Sequence, residues 1–200
     1  MRGAELLAWL ASVPRERRER AVDDLLGIDG PPPSASQPPG EHLLGYHASG
    51  VDPIVQAFTE AAVTKDDVVV DLGSGLGRVV MLAHLLTGAM ARGVELQPAL
   101  VDRARDAAQR LGIDVSFSCA DARHADLGDG TVFFFYAPFT GPVLADVLRR
   151  LHAVAERRAI VVCALAIDLH RDAPWLVARP LDAFWLTIYD SVVQGVPPRA

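Results

Sequence analysis

The chain has 200 residues, of which 50% are hydrophobic and 22% charged, and this composition fits one globular domain. Its 25 acidic and 19 basic residues give a formal net charge of −6. This charge disfavours nucleic acid as a partner, because phosphate-binding surfaces are normally basic. Cys119 and Cys163 form no disulfide or ligand pattern, and we find neither a signal sequence nor a membrane span. We therefore expect a cytoplasmic protein without membrane contact, and its oligomeric state stays open.

The N-terminal part of the chain predicts a helical arm followed by a linker. Apolar residues at helical spacing occupy 6–13, and Arg and Glu recur three or four apart over 15–26. We interpret the charged run as a solvated helix face. A proline-rich linker follows over 30–40. We expect residues 1–40 to form an accessory arm, as a lid or a dimerisation element, and residues 41–200 to form the main domain.

From Val68 onward, short β-branched runs alternate with helical patterns, which is typical of a parallel sheet covered on both faces. The predicted strands are 68–71, 91–95, 115–118, 132–136 and 159–164, followed by a hairpin of 175–179 and 184–191. The predicted helices between them are 78–86, 98–111 and 142–155. The fold class is therefore α/β: a Rossmann-like, doubly wound, mostly parallel sheet, closed by a C-terminal antiparallel hairpin and preceded by the helical N-terminal arm.

A glycine-rich turn follows the first predicted strand, with Asp71 before Gly73, Gly75 and Gly77. Glycine lets the backbone approach a ligand closely and tolerates positive φ. An acidic residue two positions before the first glycine suits an ammonium-bearing ligand better than a pyrophosphate. The dinucleotide fingerprint is Gly-x-Gly-x-x-Gly, and its last position is Arg78 here. The turn therefore predicts a nucleotide site that is not built for a dinucleotide.

A second carboxylate, Glu95, ends the second predicted strand. At that position a carboxylate can accept hydrogen bonds from ribose hydroxyls, which fits either class of nucleotide. Its order after Asp71 and the three glycines is more specific than the glycine-rich turn alone.

These residues, over roughly 46–151, resemble the first motif and its continuation in the class I methyltransferase family. The resemblance implies S-adenosylmethionine as the cofactor and S-adenosylhomocysteine as the product. It implies that Asp71 and the turn hold the amino-acid part of the cofactor and that Glu95 holds the ribose. It also implies that Asp121 accepts a hydrogen bond from the adenine amino group; the alternative is that Asp121 only caps a helix. The expected cofactor-binding residues are Tyr46, Ser49, Asp71, Gly73, Ser74, Gly75, Gly77, Glu95, Leu96, Asp121, Ala122 and Tyr136.

The wording Asp-Leu-Gly-Ser-Gly-x-Gly-Arg-Val-Val, followed by Gly-Val-Glu, looks similar to the telomeric-silencing-type protein-lysine methyltransferases and their bacterial relatives. Such relatives place a loop before the first strand that closes over the methionine end of the cofactor. The resemblance thus implies cofactor contacts for Tyr46 and Ser49. The alternative is that both side chains merely pack the linker.

The acceptor side is predicted after the fourth strand, at Tyr136, Ala137, Pro138 and Phe139. Many amine and amide methyltransferases carry Asn or Asp before this proline, so Ala137 argues against nitrogen methylation by that mode. Tyr136 is the candidate catalytic residue, because its hydroxyl could orient an acceptor or accept a proton, whereas Phe139 would form an apolar wall. Simple packing of these side chains is the alternative.

We expect an enzyme that methylates a protein side chain, lysine included, or a small molecule. If the acceptor is a hydroxyl, His47 and His124 are the candidate bases. The scattered histidines predict no metal site. The alternatives are a catalytically silent methyltransferase-like binding module and, less favoured by the glycine spacing, a dinucleotide-dependent oxidoreductase.

Overall fold

A seven-stranded sheet forms the centre of the computed structural model, which describes residues 1–28, 30–32 and 40–199. Its strands are β1 (Val68–Leu72), β2 (Met90–Glu95), β3 (Ser116–Cys119), β4 (Val132–Tyr136), β5 (Val161–Leu165), β6 (Leu176–Ala178) and β7 (Leu186–Ser191). Their order is β3-β2-β1-β4-β5-β7-β6. The first five strands are parallel, and β7 runs antiparallel to β5 and β6. The predicted fold class, including the closing hairpin, is confirmed.

The described residues form six α-helices and a short 3-10 helix (Arg15–Arg17), and α1 and α2 pack on the other helices. The α-helices are α1 (Gly3–Ser12), α2 (Arg18–Leu26), α3 (Val51–Glu60), α4 (Arg78–Thr87), α5 (Pro98–Leu111) and α6 (Gly141–Ala155). Helix α3 is absent from the sequence prediction. Its buried Val51, Ile54 and Phe58 do follow helical spacing. Pro53 obscures that signal, although a proline in the first turn removes only a donor that has no acceptor within the helix. The described segment between β5 and β6 contains no helix.

The two faces of the sheet bury different sets of side chains, because successive residues of a strand point to opposite faces. In β1, Val69 joins the apolar cluster that includes α3 and α4, whereas Val70 joins the cluster that includes α6. Leu6 of α1 and Leu26 of α2 are fully buried in the first cluster. The arm therefore forms part of the layer that covers this face. The predicted division at residue 40 stays a prediction, and linker residues 33–39 lie outside the described residues.

The charged run of the arm is only partly a solvated face. Arg20 is exposed and pairs with Asp24 within α2. Arg18, however, pairs with Asp52 of α3, and Glu19 pairs with a residue of α4. The interpretation as a solvated face is therefore wrong for Arg18, whose side chain is partly buried against α3. Glu19 is exposed and in addition pairs with α4. Neither pairing could be predicted, because the partner helices are far away in sequence. Among the helices described, we find none that is both long and apolar enough to cross a membrane.

Candidate functional site

A cavity of about 370 Å³ lies at the carboxyl ends of the parallel strands, beside β1 and β4. The connections from β1 and β4 run to opposite sides of the sheet there, which is the usual ligand site of an open α/β sheet. Its lining comes from the ends of strands β1, β2 and β4, the turns that follow β1 to β5, Val143 of α6, and the segment 43–49. We name 43–49 the cover segment. The lining residues taken from the expected cofactor set are Tyr46, Ser49, Asp71, Gly73, Glu95, Leu96, Asp121, Ala122 and Tyr136.

The glycine-rich turn brings parts of the chain unusually close together. Gly73, Gly75 and Gly77 all have positive φ, at 86°, 52° and 81°. A Cβ on Gly73 would lie 2.6 Å from Pro138, and one on Gly75 would lie 2.5 Å from the Tyr46 ring. Close approach of the chain to itself therefore requires glycine here, before any ligand is considered.

Three of the expected cofactor residues do not line the cavity. Gly75 packs against the Tyr46 ring, and Gly77 packs against the Phe117 ring, which lies 2.5 Å from where a Cβ on Gly77 would be. Ser74 is buried, and its hydroxyl has no hydrogen-bond partner among the described residues. A direct cofactor contact for these three residues stays a prediction.

Asp71 is the penultimate residue of β1, and its buried carboxyl group borders the cavity. We find no hydrogen bond from this carboxyl to any residue in the described part of the chain. Burial, together with the negative charge of Glu95, raises the pKa of Asp71 well above its ordinary value. Buried polar groups are normally paired, so an unpaired carboxyl at a cavity wall marks a place for a hydrogen-bond donor or cation.

Glu95 is buried at the end of β2, and two backbone amides hold its side chain. The Gly75 N–H donates to Oε2 and the Gln97 N–H donates to Oε1, each at 2.9 Å. A carboxylate oxygen can accept more than one hydrogen bond, so both oxygens keep capacity for further donors. The two amides thus orient an acceptor pair toward the cavity without saturating it.

Asp121 follows β3 and pairs with a residue that the sequence did not single out. Its carboxylate accepts the Arg123 N–H at 2.8 Å and the Arg123 guanidinium at 2.6 Å. This guanidinium holds the pKa of Asp121 below its usual range. The His124 N–H donates to the Asp121 carbonyl, so Asp121 begins a short turn. No helix begins there, and the alternative that Asp121 caps a helix is therefore wrong. Its side chain nevertheless borders the cavity.

The cover segment is fixed to the turn that follows β4. Leu43 forms an antiparallel bridge with Phe139, and the Leu44 N–H donates to the Pro138 carbonyl at 3.0 Å. Within the segment, Nδ1 of His47 lies 2.8 Å from the Gly45 carbonyl. His47 borders the cavity, whereas the other candidate base, His124, lies outside its lining.

The wall formed by β4, β5 and α6 is mostly apolar. It comprises Tyr136, Ala137, Pro138, Phe139, Val143 and Ala166. Ala137 and Ala166, which follow β4 and β5, have φ of 37° and 53°. Such left-handed conformations cost a residue with a Cβ about 1–2 kcal/mol and concentrate at functional edges. In the described part of the chain, no group of three or more His, Cys, Asp or Glu side chains could hold a metal ion.

Comparison with known proteins finds similarity to methyltransferases. A family model described as a methyltransferase domain matches residues 69–158. An uncharacterized protein of Methanocaldococcus jannaschii is 34% identical over 61 residues, covering 30% of this chain and 28% of the relative. The match thus spans little more than a quarter of that relative's length.

Solved structures share the fold over most of the chain. The RNA methyltransferase from Salinibacter ruber, in complex with S-adenosylhomocysteine, is 27% identical with a TM-score of 0.59, over 76% of this chain and 97% of that one. The ribosomal protein L11 methylase from Lactobacillus delbrueckii subsp. bulgaricus is 16% identical with a TM-score of 0.55, over 74% and 79%.

These matches do not show the finer resemblance to telomeric-silencing-type protein-lysine methyltransferases. They also give no support to the expectation that nucleic acid is disfavoured as a partner, since the Salinibacter ruber protein is an RNA methyltransferase. They do support the cofactor. Residues 69–158 are therefore similar to a methyltransferase domain, and the Salinibacter ruber structure supports S-adenosylmethionine as the cofactor.

Proposed function

We propose that this protein is an active enzyme that transfers the methyl group of S-adenosylmethionine to a small molecule with an apolar body. The observation that carries the proposal is the unpaired, buried Asp71 carboxyl beside Glu95. It lies in a cavity whose described lining contains no Lys or Arg. Such a site attracts a cationic ligand, and the cofactor carries both a sulfonium and an ammonium group.

The charge of the cavity also argues against the dinucleotide alternative. Three carboxyl groups border the cavity, those of Asp71, Glu95 and Asp121. Among the described residues, Asp121 alone of these three pairs with a guanidinium. A pyrophosphate would bring two further negative charges close to these carboxylates, where charges in a partly buried site interact strongly. An oxidoreductase that uses a dinucleotide would need basic or free backbone donors at this position.

We assign the cofactor contacts from the positions of the lining residues. Asp71 would hold the ammonium group, and Glu95 would accept the two ribose hydroxyls. Asp121 and Ala122, with Leu96, would surround the adenine. Tyr46 and Ser49 of the cover segment, with Tyr136 and the Gly73 backbone, would enclose the methionine end. Ser74, Gly75 and Gly77 would act through the shape of the turn.

The cofactor supplies an activated methyl group on its sulfonium. The chain therefore has to bind the cofactor and the acceptor, align them and exclude water. In favourable systems alignment alone lowers the activation barrier by about 7–11 kcal/mol. The Gly45 carbonyl can only accept a hydrogen bond, so the 2.8 Å contact puts the His47 proton on Nδ1. Nε2 is then an acceptor, and we propose that it removes the proton of a hydroxyl acceptor. Tyr136 would orient that acceptor.

The acceptor class follows from the apolar wall. A wall of Ala137, Pro138, Phe139 and Val143 offers contact area without charge, which suits an apolar body better than a phosphate backbone. A protein side chain, lysine included, and RNA are the other outcomes of the test below. We also propose a cytoplasmic setting, consistent with Cys119 and Cys163 being free thiols.

The test has two stages. Calorimetric titration with S-adenosylmethionine and S-adenosylhomocysteine, with NAD as the control ligand, asks whether the cavity takes the cofactor. We expect micromolar affinity for the sulfur ligands and none for NAD; tight NAD binding would overturn the proposal. The second stage incubates the protein with methyl-labelled cofactor and separate small-molecule, protein and RNA fractions of a cell extract. Label in the small-molecule fraction supports the proposed acceptor, and label in another fraction refutes it. Cofactor binding without label in any fraction would favour the silent module.

A further inference from the structure

Arg78 is a buried cation at the first residue of α4, directly after the glycine-rich turn. Its guanidinium donates to the Glu19 carboxylate at 2.5 Å and to the Asp23 carboxylate at 2.6 Å. It also donates to the Ser49 carbonyl at 2.7 Å. Both carboxylates belong to α2 of the N-terminal arm, and Ser49 ends the cover segment. We call these four residues the arm network.

The position of Arg78 is unfavourable for a cation taken alone. The N-terminus of a helix carries a partial positive charge, and a buried guanidinium loses its hydration. The arm network compensates for both effects, because it supplies two negative charges and a carbonyl oxygen. Without the arm, Arg78 would retain only the Ser49 carbonyl among these contacts.

Glu19 also connects the arm to the chain beyond the cover segment. Its Oε1 accepts the Val51 N–H at 2.7 Å, at the first turn of α3, while its Oε2 accepts from Arg78. One arm side chain thus fixes Val51, two residues beyond the cover segment, and, through Arg78, the Ser49 carbonyl at the end of the segment. The other end of the segment is fixed separately by the bridge from Leu43 to Phe139.

Between these two attachments, the cover segment places Tyr46 on the glycine-rich turn. The Tyr46 ring lies so close to Gly75 that a Cβ there would be 2.5 Å away. Burial raises the pKa of Tyr46, while the charge of Arg78 acts to lower this pKa and the charge of Asp23 acts to raise it. The ring, the turn and the arm network therefore form one packed unit at the edge of the cavity.

We propose that Arg78 and Glu19 are positioning residues of the cofactor site, through which the N-terminal arm holds the cover segment closed and sets the affinity for S-adenosylmethionine. The inference rests on the proposed function for its ligand. Of the roles expected for the arm from the sequence, a lid or a dimerisation element, the inference chooses the lid and names the residues through which it acts.

The test compares Glu19→Gln with Glu16→Gln, in the full-length protein. Glu19→Gln keeps an oxygen that can accept the Val51 N–H but removes the charge that faces Arg78. Glu16→Gln makes the same change of charge three residues earlier, at an exposed residue with no ion pair among the described residues. Arg78→Lys is a third variant, since a lysine keeps the charge but cannot reach several acceptors with a planar fork.

The first measurement needs no cofactor. Native-state cleavage by chymotrypsin after Tyr46 reports how often the cover segment opens, and cleavage after the fully exposed Phe184 serves as the internal reference. We expect cleavage after Tyr46 to become about tenfold faster in Glu19→Gln, with an intermediate rate in Arg78→Lys. Cleavage after Phe184 should not change in any variant, and Glu16→Gln should match the wild type at both sites.

The second measurement is the calorimetric affinity for S-adenosylmethionine. We expect Glu19→Gln to raise the Kd by about fivefold or more and Glu16→Gln to leave it within twofold. Unchanged cleavage after Tyr46 would overturn the inference, and so would faster cleavage with an unchanged Kd. Equal acceleration at both cleavage sites would indicate a purely structural role and would also overturn it. Failure of the proposed function would look different: the wild type would not bind S-adenosylmethionine, while the difference in cleavage would remain.

Discussion

The two halves of the cavity differ in charge. The half at β1, β2 and β3 presents Asp71 in β1, Glu95 at the end of β2 and Asp121 after β3. The half at β4 and β5 presents Ala137 and Ala166 at the corresponding strand ends, and no charged residue from these strand ends joins them in the described lining. We infer that the fold concentrates charge where we propose the cofactor binds, and leaves recognition of the acceptor to shape.

Glu95→Ala tests whether the carboxylate half binds the cofactor, and it has the largest expected effect. The variant loses the acceptor pair for the ribose and frees the Gly75 N–H, and hydrogen bonds to a charged group contribute about 1.5–3 kcal/mol each. We expect the Kd for S-adenosylmethionine to rise by about 100-fold, measured by calorimetry. The exposed Glu156, at the end of α6, provides the control Glu156→Ala. Near-normal binding by Glu95→Ala would show that the carboxylate half does not hold the cofactor.

Asp71→Asn tests the charge of the same half. The raised pKa of Asp71 means that a cationic ligand must favour the ionised form, so cofactor binding should release protons. We expect about tenfold weaker binding by the variant. Titrations in buffers of different ionisation enthalpy should detect proton release by the wild type and none by the variant. The wild-type Kd should rise as the pH falls through the raised pKa, and a pH-independent Kd would contradict this account.

The same substitution should stabilise the ligand-free protein. A carboxyl group whose folded-state pKa is raised binds its proton more tightly in the native than in the unfolded chain, so its contribution to stability is lost as the pH rises. Asn carries no such charge. We expect Asp71→Asn to raise the free energy of unfolding by about 0.5–2 kcal/mol at pH 8, with the gain disappearing near pH 4. Thermal unfolding across this pH range measures it, and a loss of stability at pH 8 would contradict it.

Gly75→Ala tests the contact that joins the cover segment to the turn. The substitution combines a φ of 52° with a Cβ placed 2.5 Å from the Tyr46 ring. The left-handed conformation alone costs about 1–2 kcal/mol, and Gly112→Ala, at φ 61° with no atom within 4 Å, isolates that cost. We expect Gly75→Ala to unfold at a lower denaturant concentration than Gly112→Ala. Equal stability of the two variants would mean that Tyr46 yields without cost.

The smallest expected effect on binding is that of Tyr136→Phe, which removes only a hydroxyl at the boundary of the two halves. We expect the Kd for S-adenosylmethionine to rise less than about threefold, which is below 1 kcal/mol. Turnover of the acceptor found by the fractionation experiment should fall about tenfold or more, because the hydroxyl would orient that acceptor. A large rise in Kd with unchanged turnover would move Tyr136 into the cofactor half.

Much of the fold could be predicted, because patterns local in sequence specify it. The bounds of α5 and β4 match the prediction, and the other strands differ from it by at most two residues at an end. Helix α3 was missed because Pro53 lies in its first turn. The ion pairs of α2 with Asp52 and Arg78 were not predicted, because these partners lie on α3 and α4. Local pattern cannot reveal such pairings.

The sequence by itself determined the carboxylate half of the cavity. Asp71, the glycine-rich turn and Glu95 occupy consecutive strand ends, and parallel strands bring their carboxyl ends to one edge of the sheet, so chain order alone places them together. The cover over this edge and the arm network that joins Glu19 to Arg78 were decided by the tertiary structure alone. These contacts depend on how separate elements pack. Their energies come from burial and charge pairing across the fold, which no single stretch of sequence encodes.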